Sequence, residues 1–339
     1  MRPQCFCNAA GVAERRVPPL GRRMPSFRGS MSLRMVLSAL FVAFGLCKVV
    51  CPLLAFSGGG YSKIGWLPSG SMASGPIRGR LPERTRLAAL SEADLSKIDK
   101  TPDELFYLLP RVGVHHVDDN FRRQLTQLFR LLLRQNGDIL DLCSQHDSHL
   151  PPEVQYNSVT VHGMNYLELL ANPRATERFT RNFNTDPTLS NLGDASMDAV
   201  VMTVSIQYMQ RPAELLREVR RVLRPGGIVI LSFSNRMYFN KAVEAWRSQT
   251  SMRGLVNLVQ GYLQDAGFEE VRAANRVQLP EAEAQWGSFL GGMLSRDGDP
   301  YSSVIGFRGA ERAEAKAPLD LDSLEGVSWL PSAGSRSIW

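Results

Sequence analysis

Asp and Glu are missing altogether from Arg15 to Pro82, and the first 82 residues of this 339-residue chain hold one acid, Glu14, against eleven Lys and Arg. The formal charge of +6 is therefore a property of that segment, because residues 83–339 carry 28 bases and 32 acids, a net −4. A body of that sign excludes nucleic acid as a partner. Cysteine is equally scarce: Cys5, Cys7, Cys47 and Cys51 lie in the basic segment, and Cys143 stands alone in the body. One thiol excludes an internal disulfide framework and a cysteine-based metal site. No G-x-G-x-x-G follows the first strand-like run, which argues against an oxidoreductase of the dinucleotide-binding type.

The acid-free opening has two parts. Met35 to Phe56 is an apolar run broken only by Ser38, Gly45, Lys48 and Pro52, preceded by Arg22, Arg23, Arg28 and Arg34. A basic flank, an apolar run and small residues before Phe56 form a signal-peptide pattern. Residues 57–82 are basic and rich in Ser, Gly and Pro, like a transit peptide. The pair resembles the bipartite presequence of algae with secondary plastids, with Ala55-Phe56 at the cleavage point, and implies a plastid protein. The competing reading is a membrane anchor over residues 35–56, which would then be the one point of membrane contact. Lys48 and Pro52 inside the run favour the presequence.

The most informative stretch runs from Asp198 to Arg236. Ala199 to Val204 is continuous, apolar and rich in β-branched residues, as a strand buried on both faces must be. Pro212 suits a first helical turn, and Leu215, Leu216, Val219, Val222 and Leu223 make one apolar stripe. Arg224-Pro225-Gly226-Gly227 ends that helix, and Ile228 to Phe233 is a second buried strand. Strand, helix, strand is the crossover unit of a parallel sheet.

The wording of this stretch, an Asp-x-Val-Val strand and a helix ending Glu218-Val-Arg-Arg-Val-Leu-Arg-Pro-Gly-Gly227, resembles the fourth and fifth strands of class I S-adenosylmethionine-dependent methyltransferases of the type 11 kind. Over 111–307 the chain resembles a branch of that superfamily found in cyanobacteria and plastid-bearing eukaryotes. It shares with that branch Ser148-His-Leu-Pro151, Gly163-Met-Asn165, Val204-Ser-Ile-Gln-Tyr208 and Phe233-Ser-Asn-Arg236. The resemblance implies an α/β fold: a Rossmann-like seven-stranded sheet with helices on both faces and a terminal antiparallel strand. It also implies S-adenosyl-L-methionine as cofactor.

The chain in order supplies the other elements. Residues 83–110 read as a helical lead-in, with short helices over 95–100 and 101–109. Asp118 or Asp119 caps a helix running to about Arg134; the neighbouring His115 and His116 suggest no metal site by spacing alone. Gly137 to Cys143 is the first strand, Ser158 to His162 the second and Phe179 to Asn184 the third. Helices follow around 239–246, 255–266 and 282–294, and Glu269–Val277 and Tyr301–Phe307 form the closing hairpin. Residues 308–339 lack periodicity and read as a disordered tail, with Trp329 and Trp339 unexplained.

Two departures from the family mark the candidate site. After the first strand, where the family has a glycine-rich turn, stands Cys143-Ser-Gln-His-Asp-Ser-His149; after the second, where it has a ribose-binding acid, stands Gly163. The family pattern places Asp141, Cys143, Ser144, Gly163, Met164, Asn165, Thr185, Asp186, Thr203 and Gln207 around the cofactor. In that set Asp186 accepts from the adenine amino group, Asn165 reaches the ribose and Met164 packs on the base. Asn165 also reads as a helix cap, and Asp186 also reads as a surface Asp-Pro turn. His149 and Tyr208 are the candidate catalytic bases, if the acceptor requires one. The expected activity is methyl transfer to a small-molecule acceptor. A non-catalytic binding or assembly module on the same fold is the alternative, motivated by the two replacements.

Overall fold

The computed structural model describes residues 90–280, 298–309, 321 and 323–330. The presequence, the helix expected over 282–294 and Trp339 lie outside these residues. The elements are α1 (Asp103–Phe106), α2 (Asp119–Leu132), β1 (Asp138–Leu142), β2 (Ser158–Gly163), α3 (Tyr166–Leu170), β3 (Glu177–Thr180), β4 (Met197–Thr203), α4 (Pro212–Val222), β5 (Leu223–Phe233), α5 (Glu244–Arg247), α6 (Met252–Asp265), β6 (Glu270–Val277), β7 (Ser302–Phe307) and β8 (Val327–Trp329).

They form one eight-stranded sheet in the order β3-β2-β1-β4-β5-β7-β6-β8. Strands β1 to β5 run parallel, β7 lies antiparallel between β5 and β6, and β8 pairs antiparallel with β6. Successive residues of the central strands point to opposite faces, so each strand feeds two cores. Ile139, Ala199, Val201 and Ile230 pack with Phe121, Leu125 and Leu128 of α2. Leu140, Val200, Met202 and Leu231 pack with Leu215 and Val219 of α4 and Tyr262 of α6. That two-sided burial is why the runs read as continuously apolar. The helix stops follow local chemistry: Asp118 accepts from the Phe121 amide at 2.8 Å to open α2, and Gly267, at φ +88°, closes α6.

Four expectations need correction. The third strand ends at Thr180, and residues 182–186 fold back into a turn whose Thr185 and Asp186 amides donate to the Asn182 carbonyl. Only Glu244–Arg247 is helical in the 239–246 stretch. Among the described residues of the lead-in, 90–110, Asp103–Phe106 is the one turn of α-helix. Val327–Trp329 of the supposed disordered tail adds the eighth strand, giving Trp329 a place at the sheet edge. Three residues give too short an alternation to read as a strand without their partner. Among the described residues no helix is long and apolar enough to cross a membrane.

Candidate active site

The strand order reverses between β1 and β4, and a cleft opens there at the carboxyl ends of the parallel strands, where open α/β sheets bind ligands. Its floor is the turn after β1, Cys143 to Gln145, with Gly163 and Met164 after β2 and Val204 and Ser205 after β4. Its side is Arg181 to Asn184, the turn beyond β3. The enclosed and solvent-open space together amount to about 950 Å³.

The glycine-free floor is built around His162. This buried imidazole donates from Nε2 to the Arg181 carbonyl (2.9 Å) and accepts the Cys143 amide at Nδ1 (3.2 Å), while its own carbonyl accepts the Ser144 amide (2.7 Å). Burial pushes its pKa down to about 4, which keeps the neutral tautomer that this pattern requires. Phe183 stacks on it at 4.0 Å between centroids. Gly163 is needed here for closeness: a Cβ would stand 2.8 Å from the Ser144 carbonyl oxygen. Cys143 and the β-branched Val204 hold left-handed backbone, φ 56° and 48°, the kind of strain that is found at functional turns. Burial pushes the Cys143 thiol up to about 12, so it is no thiolate.

The roof is the lead-in, and polar bonds fasten it. Asn165 caps α3 through its oxygen, accepting the Leu167 amide at 2.9 Å, and donates from Nδ2 to the Tyr107 and Leu108 carbonyls at 2.9 and 3.1 Å. Glu168 accepts the Arg111 amide at 2.5 Å. Asn184 donates to Asp103 at 2.8 Å, and Asp103 in turn binds the buried Lys97 at 2.8 Å. Phe106, Tyr107 and Tyr238 line the upper wall beside Tyr208, whose hydroxyl accepts the Tyr238 amide at 2.9 Å. Burial raises the phenols of Tyr107 and Tyr208, leaving both uncharged at neutral pH.

Of the expected site residues, Cys143, Ser144, Gly163, Met164 and Tyr208 line the cleft. Asp141, Thr203 and His149 line a small neighbouring pocket beneath the β1–β2 loop. Asp141 is buried, accepts from Ser144 Oγ at 2.6 Å, and burial pushes it up to about 6. His149 pairs with Asp147 at 3.1 Å, and the imidazoles reaching the cleft are His162 of the floor and His116, whose pKa burial and Arg111 hold near 4. Asn165 serves the cap and the roof, and it does not line the cleft. Gln207 is wholly buried below it. Thr185 and Asp186 stand exposed outside it; the Asp186 carboxylate is bound by Arg181 (2.7 Å) and Thr188 Oγ1 (2.7 Å), the surface-turn arrangement. Asn182 and Asn184 take the cleft side of that turn instead. Sequence reasoning missed the roof residues Tyr107, Arg111 and His116, which carry no periodicity. Among the described residues no group of three His, Cys, Asp or Glu could hold a metal ion.

Comparison with known proteins follows this geometry. Residues 156–231, from the edge of β2 through β5, match the family model described as a methyltransferase domain. A probable S-adenosylmethionine-dependent methyltransferase of Mycolicibacterium smegmatis is 32% identical over 140 residues, 40% of this chain and 49% of that one. The Thiol S-methyltransferase TMT1B of Homo sapiens is 51% identical over 41 residues, 12% of this chain and 17% of its own. The chain thus spans less than half the length of these relatives. Among solved structures, an S-adenosylmethionine-dependent methyltransferase of Thermotoga maritima, titled a possible histamine N-methyltransferase, superposes with a TM-score of 0.37 at 17% identity, covering 56% of this chain and 89% of that one. The family match takes in β2 to β5 with the cleft turns at Gly163–Met164, Asn182–Asn184 and Val204–Ser205, and residues 156–231 are the part of the chain that matches a methyltransferase domain.

Proposed function

We propose that the protein transfers a methyl group from S-adenosylmethionine to a small-molecule acceptor in the plastid. The observation that carries this is the cleft at the β1/β4 switch point, lined by residues of the matched domain and roofed by aromatic side chains. The residues fit such a ligand: Met164 and Phe183 offer apolar surface, Asn182 and Asn184 offer amides, and buried Arg111 and His116 nitrogens lack partners. Bound there, the cofactor supplies an electrophilic methyl on a cationic sulfur. The chain's own contribution is positioning. The floor residues Cys143, Ser144, Gly163 and Met164 and the turn Asn182–Asn184 would hold the cofactor, and the Tyr107, Tyr208 and Tyr238 wall excludes water. His116, its pKa held down by burial and Arg111, is neutral at pH 7 and serves the cleft wall rather than as a base.

Isothermal titration of the full chain with S-adenosylmethionine and S-adenosylhomocysteine tests the reading; no heat at millimolar ligand sinks it. Incorporation of labelled methyl into a plastid extract separates the enzyme from a non-catalytic module, which labels nothing. The acid-free segment supports plastid targeting, and a fluorescent fusion to residues 1–82 retained in an outer membrane compartment would replace that part with the anchor.

A further inference from the structure

We propose that Arg111 is the anion seat of the cleft, a guanidinium that takes a carboxylate where the glycine-rich turn of other family members would bring the backbone close to the ligand. The inference rests on the cofactor reading above and concerns a residue of the lead-in, outside the matched 156–231.

A ligand with an anionic end needs donors at the floor, and the first two amides of the β1 turn are already committed, Cys143 N–H to the His162 ring and Ser144 N–H to the His162 carbonyl. The cations around the cleft are committed too. Lys97 is bound by Asp103 at 2.8 Å, and Lys241 lies 3.2 Å from Asp99. Arg181 is held by Asp186 at 2.7 Å, and Arg236 pairs with Asp299.

Arg111 differs. Its side chain is 14% exposed, and Nε and Nη2 are buried and make no hydrogen bond. Glu168 forms an ion pair with the guanidinium at 3.6 Å from Nε, a distance beyond hydrogen-bond range, with its Oε1 accepting the Arg111 amide, and the Tyr238 side chain bonds the guanidinium as well, so what stays open is the Nε and Nη2 edge alone. The same two nitrogens form one edge of the guanidinium, the edge that receives a carboxylate side-on through two parallel bonds. Unsatisfied buried N–H groups of this kind are expensive to leave unpaired. The plane is set by Tyr107 and Phe106, whose ring centroids lie 4.6 and 5.1 Å from the guanidinium carbon, contacts that orient the fork while offering it no strong acceptor. Five residues on, His116 Nε2 lies 2.9 Å from Gln145 Nε2 of the β1 turn, which fastens this part of the roof against the floor.

A carboxylate here belongs either to the amino-acid arm of the cofactor or to the acceptor, and three probes separate the sources on the full-length wild type, Arg111→Gln and Arg111→Lys. Titration calorimetry with S-adenosylhomocysteine and with 5′-methylthioadenosine, the same nucleoside without the carboxylate, gives the first comparison. Benzoate, titrated with and without saturating S-adenosylhomocysteine, gives the second. If the seat serves the cofactor, Arg111→Gln weakens S-adenosylhomocysteine about ten- to a hundredfold and leaves methylthioadenosine unchanged, with Arg111→Lys between. If it serves the acceptor, both nucleosides bind every variant alike, while benzoate binds wild type and not Arg111→Gln. Equal binding of all three probes overturns the proposal. So does equal loss of both nucleosides with a fallen melting temperature, the mark of a strut between roof and α3. Should wild type bind neither nucleoside, the cofactor reading falls, and the benzoate comparison still decides Arg111.

Discussion

Asp141 illustrates how far burial can bend the behaviour of one carboxyl. Its pKa is raised by burial to about 6, against 3.8 in an unfolded chain. A raised folded value favours the protonated form, so its contribution to stability is full below pH 4 and is lost as pH climbs through 6. Asp141→Asn has no such proton to lose, and between pH 4 and pH 7 its stability relative to wild type should improve by about 2 kcal/mol. His116 and His162, with lowered values, tilt both proteins the other way and cancel in the difference. Denaturant midpoints at the two pH values measure it; a constant gap refutes the assignment. Asp186 offers the contrary case. Because its carboxylate sits in an exposed pair with Arg181, Asp186→Ala should leave S-adenosylhomocysteine affinity unchanged and change stability little. A tenfold loss of affinity would put Asp186 back in the site.

The elements divide by whether neighbours in sequence are neighbours in space. β4, α4 and β5 were legible because an unbroken apolar run, a 3.6-residue stripe and Pro225-Gly-Gly227 are local signals. The roof was not, since Arg111 answers to Glu168 and Asp103 to Asn184, partners 57 and 81 positions away, through polar bonds with no period. Asp186 shows a related limit: the family pattern located the turn, but which side of it faces the cleft depends on where β3 stops. A roof held by polar bonds has a single weak point at Asp103, which is 11% exposed and shared by Lys97 and Lys241. Asp103→Ala strands the buried Lys97 ammonium, Lys241 keeping Asp99, and should cost about 3–5 kcal/mol. Hydrogen exchange should quicken over residues 97–116 before it does in β4 and β5; uniform quickening would mean that the roof and the sheet open together.

At the scale of the whole molecule, the sheet's far edge is finished by a segment that looked structureless. Leu330 donates to the Ala273 carbonyl at 2.7 Å and Gln278 to the Gly326 carbonyl at 2.6 Å, while Leu321 is buried. Removing residues 321–339 should lower stability by at least about 2 kcal/mol and leave β6 as an open edge prone to self-association. Light scattering at raised concentration would show it, and a monomeric, equally stable truncation would argue that β8 is ornamental. The insertion of β7 between β5 and β6 bears on a different matter, the order in which the protein is made. Strand β5 lies at the centre of the sheet and receives its second neighbour only when Ser302–Phe307 arrives. Ribosomes add about 5–20 residues per second, so the interval between Phe233 and Ser302 lasts several seconds. During that time the cleft and its roof have already left the ribosome, while Ile228 to Phe233 present a bare apolar edge. A nascent chain halted just short of Ser302 is therefore the form of this protein that a strand-binding chaperone should capture, and one released past Phe307 is the form it should let go.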